Sequence, residues 1–348
     1  MNKYISLICL LLSTTLAKAE YKLVWQDEFE TLNSETWTHE TGTGDNGWGN
    51  FEQETYTDSP LNSFVENSIL NIRAVRISDS KDRVKYTSAR LKTQGNVSIL
   101  YGKIEARMKL PQRGQGVWPA FWMLGESIVP KGWPYCGEID IMEWKGSQPN
   151  SVISTSHWNG NPYNYEHCNY GSTLDLSFSL DEDFYTYGVE WTPRVLEYYI
   201  IDNNNQKHTI NVIDISVGTD ANGISCFHKP AFILLNLAMG GQFDGDVAAD
   251  LGDRTFQIDW VRVYQDKETY PSSTLTSNTL SGMDNNASNA KEVSIYRNNK
   301  STIVESKSDG HIDVFSYDGK LILTKRISAG ITTFVDIPRL SIIKFRKY

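Results

Sequence analysis

The stretch Tyr101-Gly-Lys-Ile-Glu-Ala-Arg-Met-Lys-Leu110 alternates polar and apolar residues, the period-two pattern of a β-strand with one buried face. A second short run, Phe232-Ile-Leu-Leu-Asn-Leu-Ala238, is almost entirely apolar and is followed by glycines. Residues 20–265 consist mostly of such runs separated by Gly, Asn, Pro and Asp, and few windows keep the period of a helix. We therefore predict an all-β domain, a two-sheet antiparallel jelly-roll sandwich whose large faces can curve into a groove.

The composition of the chain changes after Gln265. Between Ser272 and Ala290, twelve of nineteen residues are Ser, Thr or Asn and none is aromatic, which is typical of a flexible linker. Further on, His311-Ile-Asp-Val-Phe-Ser-Tyr317 alternates again and is followed by Asp318-Gly319, a strong hairpin-turn signal. We predict a large domain at 20–265, a linker at 266–290 and a small β-domain at 291–348.

The first nineteen residues have the pattern of a secretory signal peptide. Lys3 precedes the apolar run Ile5–Leu12, and the small-x-small triplet Ala17-Lys18-Ala19 precedes Glu20. Because this run is too short to cross a bilayer and no other apolar run of spanning length follows, we expect no membrane span in the mature protein. We expect the protein to be exported, either secreted or held at the cell surface.

Charge and cysteine content narrow the range of partners. Removal of residues 1–19 would lower the formal net charge from −9 to −11, because Lys3 and Lys18 are lost. Such a charge opposes sequence-independent binding to nucleic acid or anionic lipid. Three cysteines remain, Cys136, Cys168 and Cys226, so at most one internal disulfide is expected, and their spacing fits no zinc site. We expect a monomer.

Three carboxylates lie in one predicted strand, Gly137-Glu-Ile-Asp-Ile-Met-Glu-Trp144. Alternation of side chains places Glu138 and Asp140 on one face but Glu143 on the other. A β-bulge at Ile141-Met142 would return Glu143 to the face of the other two, with Ile139 and one of the two bulge residues in the core. The two glutamates would then close to roughly 5–6 Å, the separation in a retaining glycosidase.

This arrangement gives each carboxylate a separate role. Glu138 would be the nucleophile, Glu143 the general acid and later the base, and Asp140 would hydrogen-bond the nucleophile and tune both. The spacing alone is not specific, since a solvated strand face or a calcium-binding acidic patch would share it. The neighbouring indoles favour a carbohydrate cleft, because Trp118 and Trp122 lie on one face of the upstream strand and can stack on sugar rings.

In combination these motifs resemble glycoside hydrolase family 16, in its laminarinase-like branch. The resemblance extends across nearly all of residues 20–265. It is carried by Trp25-Gln-Asp-Glu-Phe29, Gly47-Trp-Gly-Asn-Phe-Glu52, Tyr86-Thr-Ser-Ala-Arg-Leu91, Asn236-Leu-Ala-Met-Gly-Gly241 and Asp259-Trp-Val-Arg-Val-Tyr-Gln265. The resemblance implies a concanavalin-like β-jelly roll, endo-acting hydrolysis of β-linked glucans or galactans, and retention of anomeric configuration, with no cofactor for catalysis.

Carried over by position, the resemblance matches Glu138 to the nucleophile, Asp140 to the assisting carboxylate and Glu143 to the acid/base. It adds His157 as a histidine near the acid/base. The family's sugar-binding positions fall on Asn50, Glu52, Arg90, Trp118, Trp122 and Trp133. A surface ion pair between Arg90 and Glu52 is the alternative to a sugar-binding role for these two residues. The resemblance also implies a structural calcium ion at Asp259, with backbone carbonyls near Glu28 and Ser68.

The chain departs from the family pattern near the expected groove. Laminarinase-like chains usually carry Asn, Gln and Trp where this chain has Phe51, Glu54 and Phe243. We expect these differences to affect the preferred glucan linkage rather than the chemistry.

Several functions stay open at this point. The first is an endo-β-1,3-glucanase acting on laminarin-like or mixed-linkage glucan. The alternatives are a non-catalytic glucan-binding protein, and a family 16 hydrolase or transglycosylase acting on galactan. The tail from His311 to Tyr348 resembles the C-terminal sorting domains of type IX secretion, and a small accessory β-module is its alternative.

Overall fold

The computed structural model describes residues 20–80, 83–161, 163–216, 223–277, 293–297, 301–306, 309–316, 321–328, 330–335 and 341–347. The chain divides into two units, Met1–Met283 and Asp284–Tyr348. The predicted signal peptide at residues 1–19 lies outside the described residues. Within the described ranges, no helix is both long enough and apolar enough to cross a membrane.

Two large sheets form the first unit. The first sheet contains β1 (Lys22–Asp27), β3 (Glu54–Tyr56), β4 (Ser63–Glu66), β5 (Ile69–Ser80), β6 (Arg83–Ser88), β9 (Gly102–Lys109), β14 (Tyr185–Trp191), β15 (Val195–Ile201), β16 (Lys207–Asp214) and β18 (Arg254–Gln265). The second contains β2 (Thr38–Glu40), β7 (Arg90–Lys92), β8 (Val97–Leu100), β10 (Val117–Gly125), β11 (Glu138–Glu143), β12 (Ser151–Asn159), β13 (His167–Asp175), β17 (Ala231–Met239) and β19 (Thr274–Ser277). Helical structure in the described part of this unit is limited to the short helix α1 (Ile128–Lys131), a π-helical turn at Gly47–Phe51 and a 3-10 turn at Ile224–His228.

The core lies between the two sheets and follows the predicted alternation. Along β9, Ile104, Ala106 and Met108 are fully buried, as the period-two pattern of Tyr101–Leu110 requires. They share one apolar cluster with residues of the second sheet, including Ile139 and Met142 of β11. All nine residues of β17 are buried, because this strand lies inside the second sheet and is covered on both faces. The predicted all-β sandwich is confirmed.

The order of strands in the second sheet positions the candidate site. It runs β13-β12-β11-β10-β17-β7-β2, so the acidic strand β11 lies between β10 and β12. β17 lies between β10 and β7 and connects the indole-rich strand with the strand that carries Arg90. Side chains from these strands therefore line one continuous face of the sheet.

The structure differs from the predicted linker at its beginning. Thr274–Ser277 forms β19 and pairs with β8, and Leu275 packs against the core. The Gln265 side-chain amide donates to the carbonyls of Tyr101 and Thr274. Because Thr and Leu fit a half-buried pleated surface as well as a polar loop, the Ser/Thr count did not indicate this strand. Residues 278–290 lie outside the described residues.

The second unit contains two three-stranded sheets. One consists of β20 (Val293–Arg297), β21 (Ser301–Ser306) and β24 (Gly330–Val335), and the other of β22 (Gly310–Ser316), β23 (Leu321–Ile327) and β25 (Ser341–Lys347). Ile312 and Ile327 are buried. The predicted turn at Asp318-Gly319 lies outside the described residues, and the sorting role of this unit stays a prediction.

Candidate active site

The acidic strand β11 contains the predicted β-bulge. Its pairing with β10 joins Met142 to Phe121 and Asp140 to Trp122, so Ile141 is the extra residue. Ile141 and Met142 are both fully buried, whereas the sequence predicted only one of them in the core. A bulge sets two consecutive residues against one position of the partner strand, and here both turn inward. Glu143 is thereby returned to the register of Glu138 and Asp140.

Glu138, the predicted nucleophile, is held by an indole and faced by an imidazole. Trp133 Nε1–H donates to Glu138 Oε2 at 3.1 Å. Across the strand pair, His157 lies directly opposite Glu138, with His157 Nε2 3.9 Å from Glu138 Oε1. The side chain of Glu138 is therefore held by the indole of Trp133 and lies opposite the imidazole of His157.

Glu143, the predicted acid/base, has its own indole donor. Trp118 Nε1–H donates to Glu143 Oε1 at 3.0 Å. The Trp118 ring stacks on Phe243 with centroids 4.5 Å apart, and Lys145 Nζ lies 4.7 Å from the centroid of Phe243. The two glutamates are thus fixed by different tryptophans on opposite sides of Asp140.

Asp140 is the most deeply buried of the three carboxylates. Its side chain is 6% exposed, and its Oδ2 lies 3.2 Å from His157 Nε2. The other nitrogen of His157, Nδ1, lies 2.8 Å from Nε2 of His167. Asp140 therefore contacts the same histidine that faces Glu138.

Burial and mutual repulsion keep protons on this cluster. Burial and the charge of Asp140 raise the pKa of Glu138 to about 8. The same two causes raise the pKa of Glu143 to about 8, and burial raises the pKa of Asp140 well above its usual range. A charge on His157 lowers the pKa of both glutamates. The cluster therefore keeps protons at neutral pH, which a general acid requires.

Arg90 lies in the groove between two indoles. Its guanidinium carbon is 4.4 Å from the Trp48 ring centroid and 4.8 Å from that of Trp122. Arg90 Nε–H donates to Glu40 Oε2 at 2.6 Å, and Lys92 donates to the other oxygen of Glu40 at 2.7 Å. The alternative ion pair of Arg90 with Glu52 is not formed, because β2 and β7 place Glu40 directly opposite Arg90.

A hydrogen-bond network joins the predicted sugar-binding residues. Asn50 and Tyr56 both donate to the carboxylate of Glu52, at 3.3 Å and 3.1 Å. Asn236 donates to the Tyr56 hydroxyl at 3.1 Å and accepts from Trp122 Nε1–H at 2.7 Å. The structure thus connects Asn50 and Glu52 with Trp122, which lies across the strand pair from Asp140.

Glu54, one of the departures from the family pattern, is a buried carboxyl behind this network. Its Oε2 accepts from the Met239 N–H at 2.7 Å. Burial, with the charge of Glu52 added to it, raises the pKa of Glu54 well above its usual range. Burial and the charge of Glu52 therefore favour the protonated form of Glu54, which is similar in shape to the Gln that the resemblance led us to expect.

The predicted calcium ligands do not present free carboxylates. Asp259 accepts from Arg107 at 2.6 Å, and Glu28 accepts from Arg262 at 2.8 Å and 2.9 Å. Strand register does bring the Glu28, Ser68 and Asp259 segments near one another, since β18 pairs with both β1 and β5. The guanidinium of Arg107 competes with a cation for the Asp259 carboxylate. The predicted backbone carbonyls near Glu28 and Ser68 are not engaged by these ion pairs, and calcium stays a prediction.

Glu40 and His167 are among the residues of the site that sequence reasoning missed. Glu40 lies on a three-residue strand far from any motif, and only the β2–β7 pairing reveals it. His167 pairs with Asn159 across β12 and β13, which places it diagonally beside His157 on the same face. At most one disulfide was expected, and Cys136, Cys168 and Cys226 are free thiols in the structure.

Comparisons with known proteins give consistent matches. The family model described as "Glycosyl hydrolases family 16" matches residues 49–262. The "Clotting factor G alpha subunit" of Tachypleus tridentatus is 39% identical over 72% of this chain, and this chain covers 35% of that protein. The "Glucan endo-1,3-beta-glucosidase" of Cryptopygus antarcticus is 35% identical over 71% of this chain and is covered to 93%. The laminarinase catalytic domain of Thermotoga maritima superposes with a TM-score of 0.60 at 36% identity, covering 71% of this chain and 99% of that one.

Proposed function

The chain belongs to glycosyl hydrolases family 16, as its motifs predicted, and we propose that it is an endo-acting, retaining β-glucanase that hydrolyses β-1,3-glucan of the laminarin type. The relatives support this substrate, because the similar protein of Cryptopygus antarcticus is named as an endo-1,3-beta-glucosidase and that of Thermotoga maritima as a laminarinase. We include mixed-linkage β-1,3/1,4-glucan in the proposal as a second glucan substrate.

The observation that carries the proposal is the arrangement of the carboxylates on β11. Glu138 and Glu143 lie on either side of Asp140, separated by one bulge, and each accepts an indole N–H. A retaining glycosidase needs two carboxyls in different protonation states on either side of the scissile bond. The charge of Glu143 raises the pKa of Glu138, so ionisation of one glutamate favours a proton on the other, and the coupled pair can hold one carboxylate and one acid in the same groove.

In the first chemical step, a Glu138 carboxylate oxygen attacks the anomeric carbon and forms a glycosyl ester. The glycosidic C–O bond breaks, and the proton of Glu143 passes to the departing oxygen. In the second step, Glu143 takes a proton from water, the water oxygen bonds to the anomeric carbon, and the ester bond to Glu138 breaks. Two inversions give net retention, and both glutamates return to their starting states.

Asp140 and His157 adjust the charge around the nucleophile. As the ester forms, Glu138 loses its negative charge, and the repulsion from Asp140 is relieved. His157 Nε2, 3.2 Å from Asp140 and 3.9 Å from Glu138, can place an N–H near both. Since electrostatic preorganisation is often the largest catalytic contribution, we expect both residues to affect kcat more than KM.

The groove supports a neutral polysaccharide as the substrate. Trp122 and Trp133 offer indole surface to the apolar sides of sugar rings, whereas Trp118 is nearly buried and its ring stacks on Phe243. Asn50 and Glu52 offer hydrogen-bonding groups next to them. The charge of Arg90 is matched by Glu40, so the groove does not depend on an anionic substrate.

The test is hydrolysis by the full chain of laminarin, mixed-linkage β-glucan and agarose, measured as reducing ends. Glu138→Ala and Glu143→Ala should each reduce turnover on laminarin by at least about 10³-fold, while Glu66→Ala, an exposed glutamate on β4, should behave like wild type. Azide should restore turnover of an activated glucoside to Glu138→Ala and give the α-glycosyl azide. Near-normal hydrolysis by either variant, or activity confined to agarose, would refute the proposal.

We also propose that the protein is exported through the pattern at residues 1–19. Polysaccharides do not enter cells intact, which favours an extracellular endo-acting enzyme. Expression of the full chain in a bacterial host should yield exported protein whose N-terminal sequencing begins at Glu20. Protein retained in the cytoplasm with Met1 intact would contradict this assignment.

A further inference from the structure

His167 contacts two residues that hold the candidate nucleophile. Its Nε2 lies 2.8 Å from His157 Nδ1, and the two rings stack with centroids 5.1 Å apart and planes at 21°. Its ring centroid also lies 4.6 Å from that of Trp133, whose indole N–H donates to Glu138. One exposed side chain on β13 therefore supports both neighbours of Glu138.

The short distance between the two imidazoles restricts where their protons can lie. A hydrogen bond between two imidazole nitrogens has room for a single proton. If that proton belongs to His167 Nε2, neutral His157 carries its own proton on Nε2, on the side of Asp140 and Glu138. If His157 is an imidazolium, it donates on both sides and His167 accepts. In both states an N–H of His157 faces the carboxylates.

The remaining state is unfavourable for catalysis. If neutral His157 keeps its proton on Nδ1, its Nε2 lone pair faces Asp140 Oδ2 at 3.2 Å. Burial favours a proton on Asp140, and that proton could satisfy the contact, but His157 would then give no N–H to the nucleophile. When His167 Nε2 donates to His157 Nδ1, this state is excluded, because Nδ1 is then the acceptor of that hydrogen bond.

We propose that His167 is a positioning residue, which keeps an N–H of His157 directed at Asp140 and Glu138 and packs the Trp133 indole against the nucleophile. The proposal deepens the proposed function and rests on it for the catalytic role of Glu138. The proton position on His157 can be measured without any activity, so the two can fail separately.

Several charged residues surround the His157–His167 pair. The carboxylates that face His157 from β11 are Glu138, Asp140 and Glu143. The charge of Arg90 lowers the pKa of Glu138, and the charge of Lys145 lowers the pKa of Glu143. Glu166, in the connection before β13, is the charged neighbour of His167 in sequence. A positive charge on His157 lowers the pKa of Glu138. If His157 is no longer held in place by His167, this effect should weaken and the pKa of Glu138 should rise. The acid limb of kcat/KM, which reports ionised Glu138, should then move to higher pH.

Three full-length proteins test the proposal: wild type, His167→Phe and His167→Gln. Phe keeps a ring against Trp133 but removes the hydrogen bond. Gln places an amide near the position of Nε2 and can donate or accept there. β13 is an edge strand and His167 is exposed, so all three should fold, which circular dichroism and thermal unfolding would verify.

On laminarin, His167→Phe should move the acid limb to higher pH and lower kcat/KM on that limb about threefold to tenfold, the factor that one hydrogen bond supplies. Its KM should stay within about twofold of wild type, since the ring contact is kept. His167→Gln should restore the wild-type pH profile. A His167→Phe profile that superimposes on wild type, or a Gln variant that behaves like Phe, would overturn the proposal.

The second readout is independent of hydrolysis. Imidazole ¹⁵N spectra of labelled full-length protein report which nitrogen of each histidine is protonated, and the His157 signals are identified by their loss in His157→Asn. We expect a protonated Nε2 on His157 in wild type and in His167→Gln, and a mixture of tautomers in His167→Phe. Unchanged His157 signals in the Phe variant would refute the positioning role even if the enzyme proved inactive on every glucan.

Discussion

Replacement of Glu40 by Gln should weaken both the fold and the groove, because it removes the partner of two cations. The Glu40 carboxylate accepts from Arg90 at 2.6 Å and from Lys92 at 2.7 Å, and its side chain is only 20% exposed. Burial alone would raise the pKa of Glu40, but the charges of Arg90 and Lys92 hold this pKa below its usual range. The carboxylate is therefore ionised and paired throughout the neutral range.

The cost follows from the partial burial. Loss of one partner from a buried ion pair costs about 3–5 kcal/mol, but access to solvent and the hydrogen bond that Gln retains reduce this to about 2–3 kcal/mol here. For a domain of this size, each kcal/mol moves Tm by about 2–4 °C. We expect Glu40→Gln to lower Tm by about 4–12 °C and to raise KM for laminarin, because Arg90 is then less firmly held between Trp48 and Trp122.

The assay is thermal unfolding of the full-length proteins by circular dichroism at pH 7, with Glu66→Gln as the matched control. A carboxyl whose folded pKa is lowered contributes stability above its unfolded pKa and loses it as pH falls through the folded value. The difference in Tm between wild type and Glu40→Gln should therefore shrink toward pH 3. A Tm equal to that of Glu66→Gln at pH 7 would refute the reasoning.

Three further predictions concern the carboxyls of the site. The kcat/KM profile on laminarin should be bell-shaped, and Glu143→Gln, assayed on an aryl glucoside with a good leaving group, should lose the basic limb that the raised pKa of Glu143 sets; a basic limb that persists would count against the acid/base role. Trp118→Phe should move that limb to higher pH and lower kcat about threefold to tenfold, because the lost indole N–H is one of the interactions that lower the pKa of Glu143; an unmoved limb would contradict this. Glu54→Gln should leave Tm nearly unchanged at pH 3.5, below the ordinary pKa of a glutamate, but at pH 9 the variant should be the more stable protein, because a carboxyl with a raised folded pKa loses its stabilising contribution as pH rises; equal differences in Tm at both pH values would contradict the raised pKa of Glu54.

Local patterns in the sequence determined much of the fold. The alternation in Tyr101–Leu110 predicted β9 and its buried face, and parity along Gly137–Trp144 required the bulge that the register of β10 and β11 contains. Both inferences use only the two-residue period of a strand. Burial of both Ile141 and Met142 was not predictable in this way, because it depends on how the two sheets pack.

Contacts between distant segments could not be read from the sequence. Glu40 meets Arg90 only because β2 and β7 pair, and His167 meets His157 only because of the register of β12 and β13. Trp144 adjoins the acidic strand in sequence but is fully buried in the core, so its proximity to the carboxylates does not make it a sugar platform. The sequence likewise did not predict β19, because its Ser and Thr residues are also typical of a linker.

The Glu40–Arg90 pair also affects the electrostatics of the candidate nucleophile. Arg90 is among the groups that lower the pKa of Glu138, and Glu40 neutralises part of that influence by binding the guanidinium at 2.6 Å. If Glu40 were replaced by Gln, the less compensated charge of Arg90 should lower the pKa of Glu138 and move the acid limb of kcat/KM to lower pH. His167→Phe should move the same limb in the opposite direction, so the two variants together separate the influence of the guanidinium from that of the imidazole. Additive shifts in the double variant would indicate that the two groups act on Glu138 independently, as expected from their positions on opposite sides of β11 in the sheet.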